Sequence, residues 1–475
     1  MVDRPHMPGT IHVDILWNGT STFPTAFSSI RLDRPHEGLP IPHATMRVII
    51  VGSGLSGLVL GHCLVQAGIN DFVILERRPD AAERSGSVIG FFPQTFRILD
   101  QLDLLDDIQK LCPPLHHWLH LNPQVRTIYT GGQRGFFDFL QTNHGHASRG
   151  FMRRDLMEIL YSKLPHRERH VLPNKKVTGV EQDESSVTVT CSDGSVFKGD
   201  VLVGCDGVHS AVQRYALEQP RGESKPPPRA EYRGLFGSSP LPDGIAPCGI
   251  TETHDRGIVF MILCSQDTAF WFVTHLKDKN APGSQKYSSE DIQALVDEYE
   301  NHSVAPGGKV TFGDLWRTRK LIPGPGMYDL HESVAERWYN GRVVIVGDAA
   351  HKMTPNLGQG GNNAIESVAS LVNRLNALAK EKPIPTAAEL EAAFGLYQNE
   401  REAQVKFIAG LAGSYTRWTS WRNWFGWFMQ FWMWPLAGDR LVVNRLLSPL
   451  IKDSIKLDFV QEKHLPAGKV PWKFP

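Results

Sequence analysis

The chain lacks a charge bias. Its 50 basic and 50 acidic side chains cancel across 475 residues, which removes any electrostatic reason to expect a nucleic-acid partner. Paired cysteines are missing too. Cys63, Cys112, Cys191, Cys205, Cys248 and Cys264 are scattered, with no C-x-x-C pair and no His/Cys cluster at metal spacing. They read as buried, reduced thiols in a reducing compartment, and no metal site is expected. Residues 1–45 contain no apolar h-region, so a secretory signal is not expected there. No internal repeat is visible, and no Ser/His/Asp or paired-carboxylate set suggests a hydrolase.

What is present begins at Met46, with "MRVIIVGSGLSGLVLGHCLVQAGINDFVILERR". The β-branched run Arg47 to Val51 stops at a glycine cluster, as a buried parallel strand does. Gly52, Gly54 and Gly57 follow in the spacing G-x-G-x-x-G. The first permits a tight turn, the second admits a pyrophosphate to the backbone, and the third lets the next helix lie close to the strand. A second strand, Phe72 to Leu75, leads into Glu76, nineteen residues beyond Gly57, where a carboxylate can accept both hydroxyls of an adenosine ribose. Strand, glycines, helix, strand and acid in this order predict a dinucleotide site. Residues 1–45 are expected to be an extension, disordered or an artefact of start-site choice.

Two further stretches extend the pattern. "VTGVEQDESSVTVTCSDGSVFKGDVLVGCDGVHSAVQR" predicts a hairpin turning at Ser192-Asp193-Gly194, then a buried strand from Val201 to Gly204 that ends in Cys205-Asp206-Gly207. "RVVIVGDAAHKMTPNLGQGGNNAIESVASLVNRL" predicts a strand from Arg342 to Val346, a loop rich in Gly and Asn, and a helix with Ile365, Val368, Ala369 and Leu371 on its apolar side. Asp348 then stands at a strand end, where it could hold the ribityl hydroxyls of a flavin. The backbone at Gly358, Gly360 and Gly361 could meet the ring or the phosphate at a helix N-terminus.

These three motifs together resemble the single-component, FAD-dependent aromatic hydroxylase and epoxidase superfamily. "IGFFPQTFRILDQLDLLDDI", "RRDLMEILY" and "HKMTPNLGQGGNNAIE" are most similar to the fungal FAD-dependent monooxygenases of the paspaline epoxidase type, which act in indole-diterpene and meroterpenoid biosynthesis. The resemblance runs from Met46 to the C-terminus. It implies that Glu76 binds the adenosine ribose, that Gly90 contacts FAD, and that Arg153, with Arg154 as the alternative, lies over the pyrophosphate or adenine side. It implies that Asp348 and Gly361 hold the ribityl and isoalloxazine end, and that Asp206 and Gly207 serve FAD and the transient donor NADPH. Two positions depart from the family pattern. Gln213 stands where an arginine usually follows the valine, with Arg214 next, and Glu366-Ser367 replaces the usual Glu-Asp. His351 fits a locally hydrogen-bonded histidine as well as a catalytic one.

The fold expected is α/β: a Rossmann-like FAD-binding domain with an inserted, mostly-β substrate domain and C-terminal helices. The flavin domain is read as 46–120, 149–226 and 318–386, and the substrate domain as 121–148 and 227–317. The Pro-rich "SKPPPRAEY" marks a boundary. The substrate should lie on a second sheet built from Thr127 to Phe139 and from Glu231 to about Val273, with Tyr232 the candidate orienting hydroxyl. Residues 387–475 are read as C-terminal helices, with six of the twelve tryptophans in "WTSWRNWFGWFMQFWMW", within segment 414–438. Spacings of three would put indoles along one helix side, and polar residues interrupt the run before the about 20 apolar residues of a span. A monotopic or re-entrant membrane contact on the cytosolic face of an internal membrane is therefore expected, with a soluble packed helix as the alternative. The resemblance implies an NADPH- and O2-consuming epoxidase of a prenyl double bond on an apolar isoprenoid in secondary metabolism. Alternatives are an aromatic-ring hydroxylase, a prenyl reductase and a non-catalytic prenyl-binding escort protein.

Overall fold

The computed structural model describes residues 46–81, 88–129, 135–217, 230–278, 285–321 and 324–474. The expected N-terminal extension and most of the Pro-rich boundary lie outside these residues.

The β-branched runs of the three motifs pair side by side. Val48–Val51 sits between Phe72–Leu75 and Val201–Gly204, all parallel, with Val48 opposite both Phe72 and Val201. Val343–Ile345 extends the sheet beyond Val201–Gly204, Val171–Leu172 extends it beyond Phe72–Leu75, and the antiparallel Tyr339–Asn340 closes one edge. Val48, Ile49, Ile50, Leu202 and Val344 are wholly buried, which is why these strands read as continuous apolar runs rather than alternating ones. The helices Leu55–Gln66 and Gln359–Glu381 pack together over this sheet. The second starts earlier than expected: Gly360 and Gly361 form its first turn instead of a loop, because the left-handed Gly358 already starts the helix.

A second sheet runs in the order Gly326–Leu330, Tyr232–Pro240, Thr268–Leu276, Ile258–Cys264, Gly249–Asp255, His117–Leu121, Thr127–Tyr129. "GIVFMILCSQDTAFWFV" is its central hairpin, with Phe260 opposite Val273. One face, with Phe260, Ile262 and Trp271, packs on the helices Ser289–Tyr299 and Phe312–Arg317. The other, with Ile250, Leu263 and Phe270, packs on Phe136–His144 and on Tyr415. Two details differ from expectation. His117–Leu121, all but its last residue inside the stretch assigned to the flavin domain, pairs in parallel with Gly249–Thr253 of this sheet. Phe136–His144, where the sheet was expected to continue to Phe139, is a helix whose start is fixed by Asp138, which accepts from Gly135 N at 3.1 Å.

The helix Ala387–Thr419 starts at Thr386, whose hydroxyl accepts from Glu389 N, and lies along Gln359–Glu381. The indole-rich stretch after it is not one helix. It breaks after Thr419 into Trp424–Phe428, a wide turn Met429–Met433 and Trp434–Leu441. Trp418, Trp421 and Trp434 turn partly inward, while Trp424, Trp427 and Trp432 are exposed. Among the described residues no helix is long and apolar enough to cross a membrane. The following segment returns to Pro93–Gln101: Arg97 pairs with both oxygens of Glu462 at 2.6 and 2.7 Å and stacks on Trp472, while Gln101 exchanges hydrogen bonds with Leu457.

Candidate functional site

At the end of the first strand, Gly52 donates its N–H to Leu75 O at 2.8 Å and takes φ +102, a conformation that favours glycine. A methyl group there would lie 2.7 Å from Cys205 O, and one on Gly57 would lie 1.9 Å from Gly52 O. Both glycines are therefore set by close backbone packing. Gly54 differs: its missing side chain faces outward, with Arg153 Nη2 the nearest atom, at 3.6 Å. A guanidinium over an open glycine turn at a helix N-terminus is an anion-binding arrangement. Arg154, the alternative, is turned to Asp155 at 3.0 Å. Glu76 is buried beside the same turn, accepting from Ser53 N and Oγ on one oxygen and from Arg78 N on the other. Oε1, with a single donor, keeps a lone pair for a ribose hydroxyl.

Asp348 faces this turn from the third motif. Its side chain keeps contact with water but lies in a cleft dense with protein: desolvation raises its carboxyl, and the charges of Arg153 and Lys352 act against that rise. Gly358, at φ +62, caps the helix whose first turn holds Gly361, and Gly90 lies on the strand Val88–Phe91 beside it. Asn362, which local sequence reading did not single out, joins the two. Its amide donates to Gly90 O and Gly358 O at 2.9 and 2.7 Å, and its oxygen accepts from Phe92 N and Thr95 Oγ1. A side chain added at Gly90, Gly207 or Gly360 would meet nothing within 4 Å. A cradle of open backbone, a guanidinium at one end and an accessible carboxylate in a protein-dense cleft fit a flavin dinucleotide with its pyrophosphate at Gly54 and its ribityl chain at Asp348.

Several residues singled out in the sequence are held by partners of their own. The Asp206 carboxylate caps the turn that follows, accepting from Ser210 Oγ and from the N–H groups of Ala211 and Val212. Arg214 donates to Ser210 O in the same turn. Tyr232 is fully buried and its hydroxyl is engaged with Ser420 Oγ at 2.9 Å, tying the second sheet to the end of the long helix; burial pushes it up to about 12. It is a packed tyrosine, not a substrate-orienting one. His351 is held inside, Nε2 against Ser367 Oγ at 3.2 Å, and burial lowers it to about 3. Ser367, standing in for the usual aspartate, also receives Arg401 Nε.

On the inner face of the second sheet lies a small, partly open, mostly apolar cavity, whose wall includes His120, Tyr129, Tyr415, Gln430 and Trp434. None of these was assigned to a substrate cavity from the sequence. They come from strands and helices far apart in the chain, so no local spacing marks them.

Residues 45–389 match the family model described as FAD binding domain. The FAD-dependent monooxygenase srdH of Neurospora crassa is 34% identical over 385 residues, covering 76% of this chain and 84% of the relative. The FAD-dependent monooxygenase prhF of Penicillium brasilianum is 36% identical over 350 residues, covering 70% of each. Among solved structures, HpxO of Klebsiella pneumoniae, complexed with FAD and uric acid, superposes with a TM-score of 0.67 at 19% identity, covering 86% of this chain and 96% of that one, which shows a shared fold.

Proposed function

The chain belongs to the FAD binding domain family and is an FAD-dependent monooxygenase, and on that footing we propose that it epoxidises a prenyl double bond of an apolar isoprenoid in secondary metabolism. Bound FAD supplies the activation of O2, with electrons from a reduced nicotinamide such as NADPH. In this reading Arg153 and the Gly52–Gly57 turn hold the pyrophosphate, Glu76 the ribose, Asp348 the ribityl chain, and Gly90, Gly358 and Gly361 the ring end. The protein's remaining task is to exclude water and place the alkene. The observation that carries the substrate class is the apolar cavity on the inner face of the second sheet, walled largely by Ile128, Tyr415, Trp418, Met429 and Trp434.

The test is oxygen uptake by the FAD-loaded protein with NADPH and a farnesylated phenol, followed by mass analysis. Substrate-stimulated uptake and a product with one added oxygen that acid opens to a diol support epoxidation. A ring-hydroxylated product would move the assignment to the aromatic hydroxylases, a reading favoured by one feature, the buried His120 against Glu252. A gain of two hydrogens without oxygen uptake would make it a reductase.

The exposed indoles support a second element of the proposal, contact with the cytosolic face of an internal membrane. Trp424 is 76% exposed, Trp432 57% and Leu436 81%, with Arg440 and Arg445 exposed nearby. Such groups suit a headgroup interface, and the isoprenoid would partition into the same bilayer. Flotation with phosphatidylcholine/phosphatidylserine vesicles should carry the wild type upward and leave Trp424→Ser/Trp432→Ser behind at unchanged Tm; equal flotation of both would remove this element.

A further inference from the structure

Beside the cavity four polar side chains from separate stretches of chain meet in an otherwise apolar layer: His120, Glu252 and His254 on the second sheet, and Tyr415 near the end of the long helix. Glu252 and His254 are wholly shielded from water. Their protons can be placed from one end of the chain of contacts. The Trp421 indole can only donate, and it lies 2.6 Å from Gln430 Oε1, so Gln430 presents its NH2 to His254 Nδ1. Nδ1 is then an acceptor, and Nε2 carries the proton it donates to Glu252 Oε2 at 2.9 Å. Tyr415 donates to the same oxygen at 2.7 Å. Burial alone would raise the Glu252 carboxyl, but hydrogen bonds from His120 and His254 bring it down to about 2, so it is an anion.

His120, Glu252 and His254 have the composition and closeness of a metal site. The proton on His254 Nε2 argues against one, because it occupies the lone pair a metal would use. What the cluster offers is acceptors. Glu252 Oε1 has no partner among the described residues. His120 turns Nδ1 to Glu252 Oε2 at 3.6 Å, so the carboxylate favours the proton on that nitrogen and leaves Nε2 bare. His120, Tyr415 and Gln430 all line the cavity, as does Trp434, whose indole N–H also lacks a partner among the described residues. Thr416, which follows Tyr415, hydrogen-bonds Thr354 and Asn356 in the turn that leads to Gly358 of the flavin cradle.

We propose that the His120–Glu252–Tyr415 cluster is the polar end of the substrate cavity and takes a hydrogen-bond donor, a hydroxyl or a ring N–H, on an otherwise apolar substrate. This rests on reading the cavity as the substrate site of the monooxygenase. The cluster orients the molecule by one end, so its alkene or ring end is the part left for oxidation. A substrate whose donor is blocked leaves a buried acceptor unpaired and is rejected.

Binding, read from quenching of the intrinsic tryptophan fluorescence of the FAD-loaded protein, tests this without turnover. A farnesylated phenol should bind about ten- to a hundredfold tighter than its methyl ether. His120→Phe and Glu252→Gln should remove most of that preference while leaving the affinity for the ether unchanged. Equal binding of both ligands to the wild type overturns the proposal, as does an equal loss of both in variants with normal Tm and FAD content. Should Glu252→Gln fail to fold, Tyr415→Phe carries the same comparison. One zinc ion retained per purified chain, and lost in His254→Ala, would overturn it in favour of a metal site. A ring-hydroxylated product in the turnover assay would defeat epoxidation yet leave the binding preference standing.

Discussion

Arg401 Nη1 and Glu366 Oε2 lie 2.8 Å apart with both side chains out of contact with water, joining the two long helices behind the flavin cradle. Arg401 also donates to Asn363 Oδ1 and Ser367 Oγ, so it satisfies the buried polar side of the helix that begins at the cradle. Removing one partner strands the other. Arg401→Met should cost about 3–5 kcal/mol in urea unfolding, and the double variant Arg401→Met/Glu366→Leu should recover most of it. A cost under about 1 kcal/mol for the single variant would show that the pair is not a structural tie.

Gly57→Ala should abolish flavin retention. Its methyl group would overlap the carbonyl of Gly52, and neither backbone can yield without moving the helix Leu55–Gln66 off the sheet. The check is the 450 nm absorbance of purified protein against its far-UV circular dichroism, with Gly68→Ala as a control for strain at an open turn.

Arg153→Ala and Asp348→Ala should each weaken FAD by about ten- to a hundredfold, the size of a lost charge-assisted contact. Titration of FAD into apoprotein measures this. Unchanged affinity in both would remove these residues from the cofactor site.

Tyr232→Phe should lower stability by about 1 kcal/mol, the hydrogen bond to Ser420. Substrate-dependent oxygen uptake per bound flavin should not change; a large fall in uptake with stability intact would restore the hydroxyl to the substrate site.

Stability should fall as pH drops below neutral. Burial lowers His144 and His146 to about 4 and His351 to about 3, from an ordinary 6.5. Between those values and about 6.5 the unfolded chain binds protons that the folded chain does not, so acid favours unfolding through that window. Each imidazole contributes on the order of 1–2 kcal/mol of loss by pH 5. Tm measured from pH 7 to 5 should show the slope, and His146→Phe should flatten it.

The flavin half of the molecule was legible because its determinants are local. Val48–Val51, Gly52 to Gly57 and Phe72–Leu75 are contiguous, and the Phe72–Leu75 and Val201–Gly204 strands have the bounds that their apolar runs suggest. Legibility failed where a side chain's partner lies far along the chain. The Asp206 motif did not announce that its carboxylate also takes the N–H groups of Ala211 and Val212 and the hydroxyl of Ser210. Asn362 acts on Gly90 and Phe92 across some 270 positions, and Tyr415 meets Glu252 across 163. The tryptophan spacing suggested one helix face, but a break after Thr419 sends Trp434 to the cavity and Trp424 to the surface.

The grip of Glu462, Leu457 and Trp472 on the helix Pro93–Gln101 bears on when this protein becomes a flavoprotein. That helix follows directly from the strand that carries Gly90, and the side chains that hold it are made some 360 residues later. The nascent chain therefore leaves the ribosome with the cofactor cradle unsupported on one side, its long-range contacts still to be made. A fusion or nick near residue 460 should therefore be felt first as a pale protein rather than an unfolded one.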